Sequence, residues 1–181
     1  MSQVFGDIRQ LAFIVKDIDS AMDYWARVLG IGPFFIKREI QFKDYEYRGK
    51  KGFSPTVSIA LANSGFLQIE LIAQHDDVAS IYKEFLDSGQ SGLQHVSSWL
   101  TSKALKEKTT LLLAQNYSIA QQCSIASSGV QLVYFECLDN PNNFMFEMSD
   151  LKEPGHYERV MGIKDAAQNW DGQKVTVEVL N

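Results

Sequence analysis

Apolar positions recur along this chain in two rhythms, alternation and helical spacing, and the rhythms follow one another twice in the same order. Residues 10–15 form a short apolar, β-branched run, and Lys16-Asp17-Ile18-Asp19-Ser20 behind it supplies turn and N-cap side chains. Ala21, Tyr24, Trp25, Val28 and Leu29 then recur at helical spacing, which predicts a helix with Tyr24 and Trp25 in the core; Gly30 suits the left-handed position that ends it. Phe34, Phe35, Ile36, Phe42, Tyr45 and Tyr47 are interleaved with charges, a pattern read as a strand followed by a mobile, aromatic-rich loop. The apolar runs 56–61 and 66–72 flank Ala62-Asn63-Ser64-Gly65 and are expected to pair as a hairpin.

Val78, Ile81, Tyr82, Phe85 and Leu86 mark a connecting helix ended by Gly89, after which the order restarts. A strand over 95–100 is followed by a helix from Thr101-Ser102 to about residue 116, a strand over 117–126, and a hairpin-like pair over 131–137 and 144–148. The expected architecture is α+β: two tandem β-α-β-β-β modules, residues 8–75 and 92–151, within one domain spanning 1–154 and curling as facing half-barrels. Residues 155–181 follow as an extension with a helix near 157–169 and a strand marked by Val175, Val177 and Val179, placed to cover a sheet edge or reach a second subunit.

Four polar residues hold corresponding places in the repeat: Gln10 and His95 open the first strand of each half, and Glu70 and Glu147 lie inside the last. Glu147 stands in the run Phe144-Met145-Phe146-Glu147-Met148, where an unpaired charge costs several kcal/mol, so it calls for a cation. One amide oxygen, one imidazole and two carboxylates form a hard ligand set compatible with zinc, nickel, cobalt or manganese. Glu136, in Val133-Tyr134-Phe135-Glu136-Cys137, is a reserve carboxylate. His75-Asp76-Asp77 reads as a turn and N-cap, and His156 as an exposed histidine of the tail.

Composition narrows the classes. With 181 residues, 45% of them apolar, the chain fills a core and is not disordered. A net charge of −5 with the signs intermixed offers no basic stripe for nucleic acid. No long uninterrupted apolar run and no leader-like start are present, so a cytoplasmic protein without membrane contact is expected, with Cys123 and Cys137 as inert thiols.

These segments resemble the vicinal oxygen chelate superfamily, which includes glyoxalase I, methylmalonyl-CoA epimerase, extradiol dioxygenases and bleomycin-resistance proteins. The resemblance covers about residues 8–151 and is carried by Gln10-Leu11-Ala12-Phe13-Ile14-Val15-Lys16-Asp17-Ile18, Tyr24-Trp25-Ala26-Arg27-Val28-Leu29-Gly30, Leu67-Gln68-Ile69-Glu70-Leu71, Gly92-Leu93-Gln94-His95-Val96, and Asp139-Asn140-Pro141 leading to Phe146-Glu147-Met148. It implies Gln10, Glu70, His95 and Glu147 as ligands of one divalent ion, in the order that looks like that of zinc-type glyoxalase I. The implied activity is that of a lyase or isomerase, glyoxalase-like or acyl-CoA epimerase-like, moving a proton next to a carbonyl through a metal-bound enolate, with Glu147 or Glu70 as the base. It also implies a small-molecule substrate and a homodimer. The rival expectations are a binding and sequestration protein of the bleomycin-resistance type and, behind it, an extradiol-type dioxygenase. Asn142-Asn143 departs from the glycine-bearing turn of relatives.

Overall fold

In the computed structural model, which describes residues 4–137, 139 and 144–179, the first half runs β1 (Ile8–Ile14), α1 (Ile18–Arg27), β2 (Phe34–Tyr47), β3 (Lys50–Lys51), β4 (Thr56–Ser64) and β5 (Leu67–Gln74). The short α2 (Ile81–Asp87) leads to β6 (Gly92–Trp99), α3 (Ser102–Leu113), β7 (Tyr117–Ile125), β8 (Gln131–Cys137) and β9 (Met145–Ser149), and the tail adds α4 (His156–Gln168) and β10 (Thr176–Glu178). With the two-residue β3 set aside, the β-α-β-β-β order occurs twice. The loop residues Asn140, Pro141, Asn142 and Asn143 lie outside the described residues.

Each half contributes four adjacent strands, in the order β2-β4-β5-β1 and then β6-β9-β8-β7, joined at the antiparallel β1–β6 seam. β7 also pairs with β2, so one chain closes its sheet into a ring. That closure depends on β2, which is one continuous strand of 14 residues rather than a strand and a mobile loop. Its first part pairs with β4 and its last part with β7, and the ladder slips once between Lys37 and Ile40 and again between Lys43 and Glu46. Glu39 (φ 52°) and Asp44 (φ 51°) sit at those slips with left-handed backbone, as β-bulges require. Each extra residue inverts the alternation. Phe34 and Ile36 face the outer layer under α1, whereas Ile40, Phe42 and Tyr45 face the ring interior.

The interior cluster joins Ile14, Ile72, Tyr134 and Met145 to Ile81 and Tyr82, so α2 inserts its first turn into the ring as a stopper. Two outer clusters lie under α1 (Ile18, Met22) and under α3 (Leu105, Leu112). Asp17 caps α1 by accepting from the Ser20 amide at 2.9 Å. The buried stripe of α1 is Ile18, Met22 and Ala26, and Tyr24 is 54% exposed, contrary to the sequence-based expectation. The buried stripe recurs every four residues from Ile18, three residues before the first apolar position counted, and Tyr24, two residues from both Met22 and Ala26, points to the opposite side. Trp25 is half-buried, edge-on to Phe13 with ring centroids 4.9 Å apart.

The tail adds β10 to β2, in parallel along Phe34–Ile36. His156 is half-buried rather than exposed, because its Nε2 lies 3.0 Å from the Ser128 carbonyl where α4 starts. Among the described residues no helix is long and apolar enough to cross a membrane. Trp170 packs so closely on Gly32 that a Cβ there would lie 2.8 Å from the indole ring. Gly32→Ala should displace Trp170 and loosen β10, lowering stability by about 1–3 kcal/mol. Thermal denaturation together with a red shift of tryptophan emission checks this, and an unchanged Tm would contradict it.

Candidate metal centre

Cross-strand register builds the site in two rows on the inner face of the ring. Ala12 stands opposite both Glu70 and His95, with Met145 next to His95; one step along, Gln10 stands opposite Gln68 and Ser97, with Glu147 next to Ser97. Strand alternation turns Glu70, His95 and Glu147 toward one point, and their ligand atoms all lie within 4.8 Å of one another. Exposure is 7% for Glu70, 0% for His95 and 3% for Glu147, so water does not neutralise this group.

The imidazole is oriented by a residue that alternation alone would send outward. The β1–β6 ladder slips so that Phe13 faces Leu93 and Ala12 faces His95, leaving Gln94 as an extra residue. This bulge turns Gln94 inward beside His95, and Gln94 is buried. Gln94 Nε2 donates to the Ile81 carbonyl at 3.1 Å, which points its Oε1 at His95 Nδ1, 2.6 Å away. A carbonyl oxygen only accepts, so Nδ1 carries the proton and Nε2 faces the carboxylates. Nε2 lies 3.6 Å from Glu70 Oε2 and 3.6 Å from Glu147 Oε2, too far for hydrogen bonds. Nε2 and Glu70 Oε2 are buried without a hydrogen-bond partner.

Such a cluster demands a positive charge at its centre. Without a metal ion the proton supplies it: burial works against the imidazolium, but Glu147 and Glu70 outweigh that and push His95 up to about 9. Burial pushes Glu70 above the usual carboxylate range, with the Glu147 charge adding to it and His95 opposing. Burial acts on Glu147 in the same direction, but His95, with the Ser97 and Tyr134 hydroxyls, more than offsets it and holds the carboxyl below that range. A divalent ion fits the same place. Donors about 2.1 Å from a tetrahedral ion are about 3.4 Å apart, close to the observed spacing, and the two orphaned atoms would gain their missing partner.

Three of the four anticipated ligands thus come together. Gln10 is buried in the adjoining row, and its Nε2 donates to Gln68 Oε1 at 2.9 Å. The reserve carboxylate Glu136 does not join the group; it binds Arg48 Nη1 at 2.8 Å near the end of β8. His75 pairs with Ser58 Oγ at 2.7 Å, away from the cluster. Cys123 is buried in the ring core, where burial and the Glu147 charge push its thiol up, whereas Cys137 is half-buried; both are free. Gln94, Ser97 and Tyr134 support the site without having been singled out. Ser97 Oγ donates to Glu147 Oε1 at 2.6 Å, and the Tyr134 ring stands edge-on to His95 at 5.1 Å. The sequence signal for Ser97 was its place on the His95 face. For Gln94 there was none, because a bulge is set by pairing.

The family profile of the glyoxalase/bleomycin resistance protein/dioxygenase superfamily matches residues 9–135. Among solved structures, a hypothetical protein, BH1468, from Bacillus halodurans C-125 superposes with TM-score 0.57 at 16% identity, covering 81% of this chain and 95% of that one. Methylmalonyl-CoA epimerase from Mycobacterium tuberculosis gives TM-score 0.55 at 14% identity, covering 82% and 90%. A selenomethionine methylmalonyl-CoA epimerase gives TM-score 0.51 at 14% identity, covering 82% and 97%. At such identities the likeness is one of fold. No curated protein matches the sequence.

Titration with zinc or manganese should show one site per chain and a rise in Tm that chelator reverses. His95→Ala should abolish it, and Glu147→Gln should weaken it while leaving a site that excess metal still fills. Gln94→Leu, which frees the ring to rotate, should weaken the ion by about 10–100-fold while Gln94→Glu restores much of the loss; equal affinities in Gln94→Leu and the wild type would refute the orienting role.

Proposed function

Since this chain belongs to the glyoxalase/bleomycin resistance protein/dioxygenase superfamily, we propose that it is a metal-dependent enzyme of the isomerase or lyase type that transfers a proton at the carbon next to a carbonyl. The observation behind this reading is the buried trio of Glu70, His95 and Glu147, in which His95 Nε2 and Glu70 Oε2 are buried without a hydrogen-bond partner, an arrangement that an ion between them would complete. Gln10 is a fourth ligand in this reading, through its carbonyl oxygen. A bound divalent ion supplies Lewis-acid stabilisation of charge developing on a carbonyl oxygen.

The protein's own groups then divide the work. His95 is held in one tautomer by Gln94 and acts as a fixed ligand. Glu147 is anchored by Ser97, so it stays in place. Glu70 Oε2 has no hydrogen-bond donor holding it, so of the two carboxylates Glu70 is the one free to give up its ligand position, take a proton from a substrate carbon and return it. The strands place the two carboxylates on either side of His95, with β5 beyond β1 and β9 beside β6, so a proton can be removed on one face and restored on either. The trio is closed off by α2, held through the Tyr82–Tyr134 hydroxyl contact at 2.8 Å and by Gln94 on Ile81. Admission of a substrate on this reading proceeds by withdrawal of α2.

Metal-loaded protein should incorporate deuterium from solvent at the carbon next to the carbonyl in at least one of a hemithioacetal, methylmalonyl-CoA and an uncharged α-hydroxyketone. Glu70→Gln and Glu147→Gln should each reduce that exchange by at least about a hundredfold. Near wild-type exchange in a metal-loaded variant would sink the assignment. A protein that holds no stoichiometric divalent ion, with a Tm indifferent to chelator, would favour ligand sequestration instead.

A further inference from the structure

Beside α2 lies a cavity of about 380 Å³. Ile81 and Phe85 of α2 form one wall, and Phe144 and Met145 face them. Gln94 also lines the cavity, and it is the residue that accepts from His95; Met145 is the cross-strand neighbour of His95. The cavity therefore abuts the ion site through two residues.

Its charge is unusual for a site that serves an anionic carrier. Among the described residues lining it, Arg48 is the one cation, beside Glu84 and Glu136, a balance of +1 against −2. Arg48 is already paired with both carboxylates. Nη2 donates to both oxygens of Glu84 at 2.8 and 3.0 Å, Nε donates to Glu84 Oε2 and Tyr47 Oη at 3.3 Å, and Nη1 donates to Glu136 at 2.8 Å. A phosphate or carboxylate entering here would meet a guanidinium already neutralised by two carboxylates and a net negative wall, and would give up its hydration against like charge. An apolar or aromatic group would find Ile81, Phe85, Phe144 and Met145.

We propose that this cavity is a second subsite of the ion site, built to hold an uncharged amphipathic group of the substrate, and that it excludes carriers rich in phosphate or carboxylate. The proposal rests on the proton-transfer reading for what happens at the ion, but occupancy of the cavity is measurable without turnover. It places the substrate among uncharged carbonyl compounds with an apolar body, and Gln94 carries occupancy to His95.

The neutral fluorophore N-phenyl-1-naphthylamine tests it on zinc-loaded, full-length protein. We expect saturable binding that Ser88→Trp, which fills the cavity from the end of α2, weakens about tenfold or more; Gln90→Trp serves if that variant does not fold. Coenzyme A and glutathione should fail to displace the probe from the wild type. In Glu136→Gln, which removes one of the two negative charges set against Arg48, coenzyme A should displace it about tenfold more effectively. The proposal is overturned by absence of saturable binding, by binding that neither tryptophan variant disturbs, or by coenzyme A or glutathione competing equally in wild type and Glu136→Gln. Failure of the deuterium exchange alone would remove the enzymatic reading and leave these binding outcomes standing.

Discussion

Two carboxylates held against one imidazole inside a dry ring of strands set the terms for the rest of this molecule. Removing each charge from water costs several kcal/mol even after relaxation, and Glu70 and Glu147 are both buried. That cost is tolerable only with a cation among them. Gln94 fixes which nitrogen of His95 faces the carboxylates, so the geometry of the cluster is held by the fold and could receive an ion. The exposed ion pairs, such as Arg27–Asp23, work on a different scale, each contributing at most about 1 kcal/mol.

The dryness of the site follows from a backbone device. Two bulges in β2 switch its apolar residues from the outer layer to the interior and redirect its end from β4 to β7. Without that switch the sheet would stop at two half-barrels with a gap between them. A third bulge, in β6, delivers Gln94 to the same interior. Bulges thus both close the ring and orient the ligand within it, which ties the geometry of the ion site to strand pairing on the far side of the molecule. The seven-residue α2 completes the enclosure, with Tyr82 bonded to Tyr134 and Ile81 to Gln94. It contributes to the ring core and lines the cavity, and it holds Gln94, the partner of His95, through the Ile81 carbonyl.

The tandem β-α-β-β-β order, the β4–β5 hairpin and the Thr101 cap were legible in the sequence because each rests on local chemistry: alternation, a left-handed glycine, a hydroxyl three residues before an amide. The turn itself is Gly65-Phe66, since Ala62, Asn63 and Ser64 extend β4. Glu70, His95 and Glu147 were legible for a related reason. They occupy equivalent places in a repeat, and equivalent places in two like modules that face each other converge. What stayed hidden was every feature that a register shift decides. The aromatics of residues 34–47 looked like a loop because two inversions of alternation break their period, and Tyr24 looked like core because Ile18 was assigned to the turn and Met22 left out of the apolar stripe.

By itself, then, the sequence determined the repeat, the buried carboxylate pair with its imidazole, and the need for a cation, since these follow from residue type and spacing. Tertiary structure alone decided that the ring closes, that Gln94 rather than a more distant group aims His95, and that Arg48 is paired with both Glu84 and Glu136. Each of these depends on where one strand is paired with another, and a slip of a single residue, invisible in the order of amino acids, moves a side chain from one face of a sheet to the other.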